Sequence, residues 1–533
     1  MTFADSWPTV ADVLAGAQLL ARLPGFLRHP VTSEQARAQL RRRLEQRDDR
    51  FLAFVRRAIY GNRRSPYRAL LAWAGCAYGD LEQLVRREGV EHALTALARE
   101  GVRLAADEAR GRTPVVRGAM TLHVTPALLR NPLSTLHFQV QTSGSRAAPM
   151  VVGVDLASVR EEAGNLGLAL DARGGRRWVH AVWGVPGSST VRLLLRLAAC
   201  GAPPVAWFSK LLPTAPGLHA RYRWSARLLR AGGAVARVPI PSPMHVPLED
   251  PLPIARWMRD VLRRGTTPHL TTTSSAAVRL CRTAAAVGLA LDGAQFTLGG
   301  EATTAARLAA IREAGATALP RYSSVETGQI GHGCLAPAAP DDVHLMHDRY
   351  AVIGAERGPA AAHGSPTELL VTALSPTAPL VLFNVSLGDR GTIAQRACGC
   401  PLGELGWTTH LHTIHSDQKV TAGGMALPDG DVSRALEETL PARFGGGPTD
   451  YQLIEDLDGA DGPRLRLRVH PSVGPVDPGA VIETFLNAVG RGWGPAAITR
   501  LLWQDGHFLS VERGAPLATP SGKVPSVRHL RRA

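Results

Sequence analysis

WVHAVWGVPGSSTVRLLLRLAACGAPPVAWFSKLL, from Trp178 to Leu212, carries two different periodicities in one line. WVHAVWGV is an apolar run of strand length, closed by the turn formers Pro186 and Gly187. TVRLLLRLAACG reads as a helix, and PVAWFSKLL is a second short apolar run. The alternation returns further on, where TPHLTTT precedes SSAAVRLCRTAAAVGL. Short strands alternating with helices over residues 131–390 predict an α/β core.

Outward from that core the pattern changes on both sides. Residues 1–130 read as mainly helical: SEQARAQLRRRLEQRDDRFLAFVRRAIY has helical apolar spacing with Ser33 as its cap, and DLEQLVRREGVEHALTALAREGV is a second helical stretch. Between 364 and 395 the segments TELLVTAL, APLVLFNV and GDRGTIAQ are short and β-rich with turn residues between them. SDQKVTAGGMALPDGD, rich in glycine and aspartate, follows His415, and a compact β/α segment completes the chain. The predicted architecture is α/β. A large N-terminal α/β domain comprises a helical region (1–130) and a core with a β-rich segment (131–416), followed by a small C-terminal α+β domain (417–533) with its boundary near Asp417.

Composition narrows the function classes. The 533 residues hold 60 Lys and Arg against 45 Asp and Glu, a formal charge of +15. The basic residues are scattered, with short clusters only at Arg41–Arg43 and Arg528–Arg532, and no basic stripe is interleaved with aromatics, so nucleic acid is not the expected partner. No apolar run is long enough for a membrane span, and MTFADSWPTVADVL lacks the basic start of a secretory signal. Six cysteines in this length do not suggest a disulfide framework. These features predict a cytoplasmic enzyme.

Four polar turns carry candidate chemistry. LHFQVQTSGSRAAP runs from a strand into a Thr-Ser-Gly-Ser turn whose backbone N–H groups and hydroxyls suit phosphate oxygens; the alternative is a plain polar turn. TLGGEATTAARLAAIREAGATALPRYSSVETGQIG reads as strand, Gly299-Gly300 turn and helix, then a second polar turn opened by Arg321-Tyr322 and carrying Glu326, a carboxylate suited to Mg²⁺ or to a solvated surface. In NVSLGDRG, Asp389 suits ribose hydroxyls or a turn cap. In PLATPSGKVPSVR, Lys523 sits among turn formers.

In this order the four turns resemble motifs of the adenylate-forming superfamily (acyl-CoA synthetases and carrier-protein adenylation enzymes), and the branch they look most like is that of phenylacetate–coenzyme A ligase. Thr142 to Pro149 resembles its phosphate loop, Gly299-Gly300-Glu301 its glycine-glycine-glutamate stretch, and Tyr322 to Glu326 its aromatic-G-x-T-E motif. Leu387-Gly388-Asp389 resembles its T-G-D, Asp417 its hinge aspartate, and Pro516 to Lys523 its C-terminal lysine motif. The chain departs from the pattern at Ala147 and Ala148 in the loop, at Ser323 and Val325 in the aromatic motif, at Asn384-Val385, and at His415.

The resemblance implies ATP-dependent activation of a small carboxylic acid as its acyl-adenylate, with Mg²⁺. Transfer then follows to the thiol of coenzyme A or of the phosphopantetheine arm of a carrier protein acting in trans. It implies catalytic roles for Lys523 and Glu326, with Glu326 holding Mg²⁺. Nucleotide contacts would come from Thr142, Ser143, Gly144, Ser145, Arg146, Gly300, Glu301, Tyr322, Ser323 and Asp389. A mobile C-terminal domain would pivot at Asp417. The departures motivate one alternative, a non-catalytic nucleotide-binding or interaction scaffold.

A separate set concerns zinc. Cys398 and Cys400 form a C-x-C pair, Cys334 ends GHGC, and His344 follows ten residues later, a candidate Cys₃His set for a structural ion. His347 and His332 compete as the fourth ligand, and three reduced thiols are the alternative. Similar zinc sites occur in the branch just named. Cys76, Cys200 and Cys281 lie in apolar helical contexts and are expected in the core. His410, His412 and His415 alternate like one strand face.

Overall fold

One sheet of twelve strands organises the chain. The structure, a computed structural model, describes residues 10–141, 151–212, 220–355, 366–416, 420–422, 425–427, 429–456, 464–489, 509–519 and 522–530. The strands of the main sheet are numbered here in chain order. β1 (Val179–Gly184), β2 (Ala206–Ser209), β3 (Pro243–His245), β4 (Pro268–Thr272), β5 (Gln295–Leu298) and β6 (Thr317–Ser324) pair in parallel. Their spatial order is 3-2-1-4-5-6, so the chain reverses direction across the sheet between β1 and β4. Helices cover both faces of such a sheet, which is why Ala181, Val182 and Trp183 form an unbroken buried run.

From β6 onward the same sheet turns antiparallel. β7 (Gly328–Gly333), β8 (Val343–Leu345), β9 (Tyr350–Ala355), β10 (Thr367–Ala373), β11 (Val385–Gln395) and β12 (Thr409–Ser416) extend it in the order 6-7-8-12-11-10-9. Helices from Arg47 to Arg99 pack on this half: Phe51 and Tyr67 place their rings 6.2 and 6.0 Å from that of Phe383.

A second, four-stranded sheet (Tyr451–Asp456, Arg464–Val469, Leu509–Arg513, Val527–Leu530) has its own apolar cluster around Leu436, Leu453, Leu467 and Phe485. The α/β class with a C-terminal α+β domain is therefore the observed fold. Asp417, the expected pivot, lies outside the described residues. No helix among the described residues is long and apolar enough to cross a membrane.

Several local expectations change. The mainly helical N-terminal region also holds a hairpin: Val115–Arg117 and Met120–Leu122 pair around Gly118, whose φ of 54° suits a glycine turn. Thr32, not Ser33, caps the helix Ser33–Glu45, because Thr32 and Gln35 satisfy each other's backbone N–H groups at 3.2 Å. Arg321 and Tyr322 belong to β6 rather than to a turn, and Asp389 lies within the long strand β11.

Candidate functional site

The reversal between β1 and β4 opens a crevice at the carboxyl ends of the parallel strands, the usual ligand position in open α/β sheets. The C-terminal segment Gly522–Val524 lies across these ends. Lys210, just past β2, is buried and donates from Nζ to the Gly522 carbonyl (3.0 Å) and to Thr273 Oγ1 past β4 (2.8 Å). Gly522 has φ 69°, and a β-carbon there would stand 2.6 Å from Lys210 Cδ, so the approach demands glycine. The Val524 N–H donates to Glu301 Oε1 at 2.6 Å, and the Val524 side chain joins the core cluster of the parallel half.

Lys523 is thereby set against the turn after β5. A β-carbon on Gly300 would be 3.1 Å from Lys523 Cε, so glycine makes room for the lysine. Burial lowers the Lys523 pKa, while the charges of Glu301, Asp389 and Glu326 favour its ammonium form. Among the described residues no group hydrogen-bonds that ammonium, although three carboxylates share its field.

Each carboxylate is held differently. Glu301 accepts from the Ser275 N–H and hydroxyl (both 2.8 Å), from Ser274 Oγ (3.1 Å) and from Val524, and Arg307 stands 3.5 Å away. These contacts occupy both oxygens, so here Glu301 anchors the segment that carries Lys523. Asp389 accepts from the Tyr322 hydroxyl at 2.7 Å, and burial raises the pKa of both groups. Glu326 sits in the turn between β6 and β7, with Arg110 at 3.6 Å. Ser323 follows Tyr322 in β6, opposite Gln329.

The structure thus brings Lys523, Gly300, Glu301, Tyr322, Glu326 and Asp389 to one edge of the sheet. Thr142, Ser143, Gly144, Ser145 and Arg146 lie outside the described residues. The strands on either side, Phe138–Gln141 and Val151–Val154, pair with Gln141 opposite Val151.

Cys334, His344, Cys398 and Cys400 form a second centre, their ligand atoms all within 4.8 Å of one another. His344 Nε2 is 3.1 Å from Cys400 Sγ and 3.6 Å from Cys398 Sγ, close to the ~3.5–3.8 Å between neighbouring ligands of a tetrahedral zinc ion. His344 Nδ1 bonds the Trp407 carbonyl at 2.6 Å, which fixes the tautomer that turns the Nε2 lone pair toward the thiols. The donor set fits zinc. The competing histidines point elsewhere: His332 bonds Gln329, and His347 lies beside Arg47 and Asp348. Nor do the later histidines form one face. His410 is fully buried against Asp342 at 2.8 Å, and Thr413, at φ 54°, breaks the alternation before His415.

No family model and no curated protein sequence matches the chain. Among solved structures, 2-hydroxyisobutyryl-CoA ligase in the postadenylation state in complex with 2-HIB-AMP is 17% identical over 95% of this chain and 91% of that one, with a TM-score of 0.53. The same ligase in complex with R3-HIB-AMP is 18% identical over 91% and 89%, with a TM-score of 0.52. The chain has the fold of that ligase.

Several residues that complete the edge are silent in the sequence. Lys210 is a single lysine after an apolar run. Arg307 lies within an alanine-rich helix, yet it joins Glu301 to Glu437 (2.9 Å) and approaches Ser526 Oγ (3.4 Å), tying the large sheet to the C-terminal domain. Only the apolar run that leads into Lys210, whose Trp207, Phe208 and Ser209 are all enclosed, hints that its charge is not a surface one.

Proposed function

We propose that this chain is an ATP-dependent acid–thiol ligase. It activates a carboxylic acid as its acyl-adenylate and passes the acyl group to the thiol of coenzyme A or of a carrier-protein phosphopantetheine. The observation that carries the reading is Lys523, held by a second domain against the glycine turn after β5, where the charges of Glu301, Asp389 and Glu326 favour its ammonium form. A scaffold has no need to bury a lysine there.

In the first half-reaction a carboxylate oxygen attacks the α-phosphorus of ATP, the bond to the β-phosphate bridging oxygen breaks, and pyrophosphate leaves. Negative charge passes through the phosphoryl oxygens, where a fixed ammonium is most effective. Lys523 supplies that ammonium, aligned between substrate carboxylate and α-phosphate. Asp389, oriented by Tyr322, accepts from ribose hydroxyls, and Tyr322 borders the adenine or acyl pocket. Glu326 would hold Mg²⁺, which supplies charge neutralisation on the phosphates. Thr142, Ser143, Gly144, Ser145 and Arg146 would hold the pyrophosphate end, with Arg146 in place of the lysine common there. In the second half-reaction the thiol sulfur attacks the acyl carbonyl, AMP leaves, and the thiol proton passes to solvent. Rotation about Asp417 would withdraw Lys523 to admit the thiol.

The order of motifs and the zinc-fitting quartet together support the phenylacetate–coenzyme A ligase-like branch, with zinc pinning the antiparallel half of the sheet through Cys334, His344, Cys398 and Cys400. The test is acid-dependent exchange of labelled pyrophosphate into ATP across a panel of acids. Lys523→Ala is expected to lower exchange by about 100–1,000-fold. An unaltered protein that binds no ATP and exchanges with no acid would falsify the reading.

A further inference from the structure

This inference rests on the ligase reading and names the class of acid. On the sheet face covered by helices Leu156–Ala172 and Ser188–Ala199 lies a cluster of guanidinium groups whose central anion, Glu162, is already engaged. Arg321 of β6 stands opposite His332 of β7, and the helices contribute Glu162 and Arg196. Glu162 is fully enclosed, ion-paired with Arg192 and 3.2 Å from Arg349 Nη1. Burial pushes its carboxyl upward, yet the charges of Arg192, Arg349 and Arg196 bring it down to about 2, so it is ionised and bound by its own cations.

Nothing comparable serves the outer arginines. Arg196 donates to the neutral Gln329 side chain, and its Nε, 3.6 Å from Glu162, is enclosed without a hydrogen bond. Arg321 is barer still. Among the described residues its guanidinium has no hydrogen-bond or ion-pair partner, and its Nε is shut away from solvent. His332 offers it no charge, because burial first and then the arginines keep the imidazole neutral. Arg321 is half-buried with its Nε enclosed and unbonded, and a ligand carboxylate received by its planar fork would satisfy it.

Position joins this cluster to the reaction. A β-carbon on Gly299 would stand 2.5 Å from Arg321 Nε, and one on Gly300 would stand 3.1 Å from Lys523 Cε. The two cations therefore flank consecutive residues of one turn. We propose that the acid activated here carries a second anionic group: its reacting carboxylate lies at Lys523, and its distal carboxylate is received by Arg321, with Arg196 adding positive charge behind it. Arg321 is thus a specificity residue for dicarboxylic acids.

The test uses the full chain and matched acids, adipate against hexanoate and terephthalate against 4-methylbenzoate. In pyrophosphate exchange the diacid-to-monoacid ratio of kcat/KM is expected near 100, falling toward 1 in Arg321→Leu and lying between the two in Arg321→Lys. Monoacid preference in both pairs, or a variant that raises the KM for ATP and leaves the ratio intact, overturns the proposal while the ligase reading stands. If no acid supports exchange and no ATP binds, the ligase reading falls instead, and calorimetry decides the anion site. Diacid binding to the unaltered protein and not to Arg321→Leu upholds it, and binding to neither overturns it.

Discussion

Replacing Glu301 by glutamine isolates the contact that holds Lys523 in place. The carboxylate accepts on Oε1 from the Val524 N–H and Ser275 Oγ, and on Oε2 from the Ser275 N–H and Ser274 Oγ. Glutamine keeps the shape but offers one acceptor oxygen, so its NH₂ must face either the Val524 or the Ser275 backbone N–H. One hydrogen bond to a charged acceptor is lost, worth about 1.5–3 kcal/mol. At roughly 1.4 kcal/mol per tenfold, the docked form of the segment falls by a factor of about 10–150 relative to the undocked one. Arg307 keeps Glu437 as a partner at 2.9 Å, so the fold itself should survive. Hydrogen exchange read by mass spectrometry over peptides spanning 515–530 is expected to accelerate by that factor, while peptides covering β4 and β5 keep their protection. Unchanged exchange at 515–530 would show that Glu301 does not dock this segment. Equal acceleration throughout would show a general loss of stability instead.

Two further outcomes follow from buried groups. Burial, with the charges of Lys523 and Arg279, lowers the Lys210 pKa from 10.5 to about 7, against the opposing pull of Glu301. Between those values the unfolded chain binds a proton that the folded chain does not, so this group makes stability rise with pH there. The stability of the unaltered protein minus that of Lys210→Met should therefore grow above pH 7, by at most about 1.4 kcal/mol per pH unit, and a flat difference in denaturant titrations would refute the assignment. At the second centre, elemental analysis should find about one zinc per chain and none in Cys398→Ser. Equal metal in the two proteins would leave the quartet as ordinary thiols.

The parallel half of the sheet was legible because its strands are buried on both faces and read as short continuous apolar runs. The zinc-fitting quartet was legible for a different reason: thiols and imidazoles are rare, so spacing alone singled them out. Roles set by distant partners were not legible. Glu301 looked like part of a nucleotide turn, yet its partners Ser275 and Val524 lie 26 residues before it and 223 residues after it. Asp389 followed a glycine and read as a turn residue, whereas Gly388, at φ 89°, only distorts a strand that continues to Gln395. The histidine alternation failed at Thr413, because a period of two holds only while the backbone stays extended.

The same physics explains why the candidate site is assembled from three parts of the chain. Parallel strands end in turns whose backbone faces a common crevice, so Thr273 and the Gly299–Gly300 turn come together without long side chains. Antiparallel strands then carry Tyr322 and Asp389 alongside, where a 2.7 Å hydrogen bond fixes a buried carboxylate. Neither half supplies the ammonium. Placing Lys523 permanently on a sheet strand would keep a positive charge buried in every state, with its desolvation cost. Delivering it on a separate domain would confine that cost to a docked state, which the contacts of Lys210, Glu301 and Arg307 to that domain would hold. On the proposed reading, an anionic substrate that adds charge between Lys523 and Arg321 should favour docking and binding together.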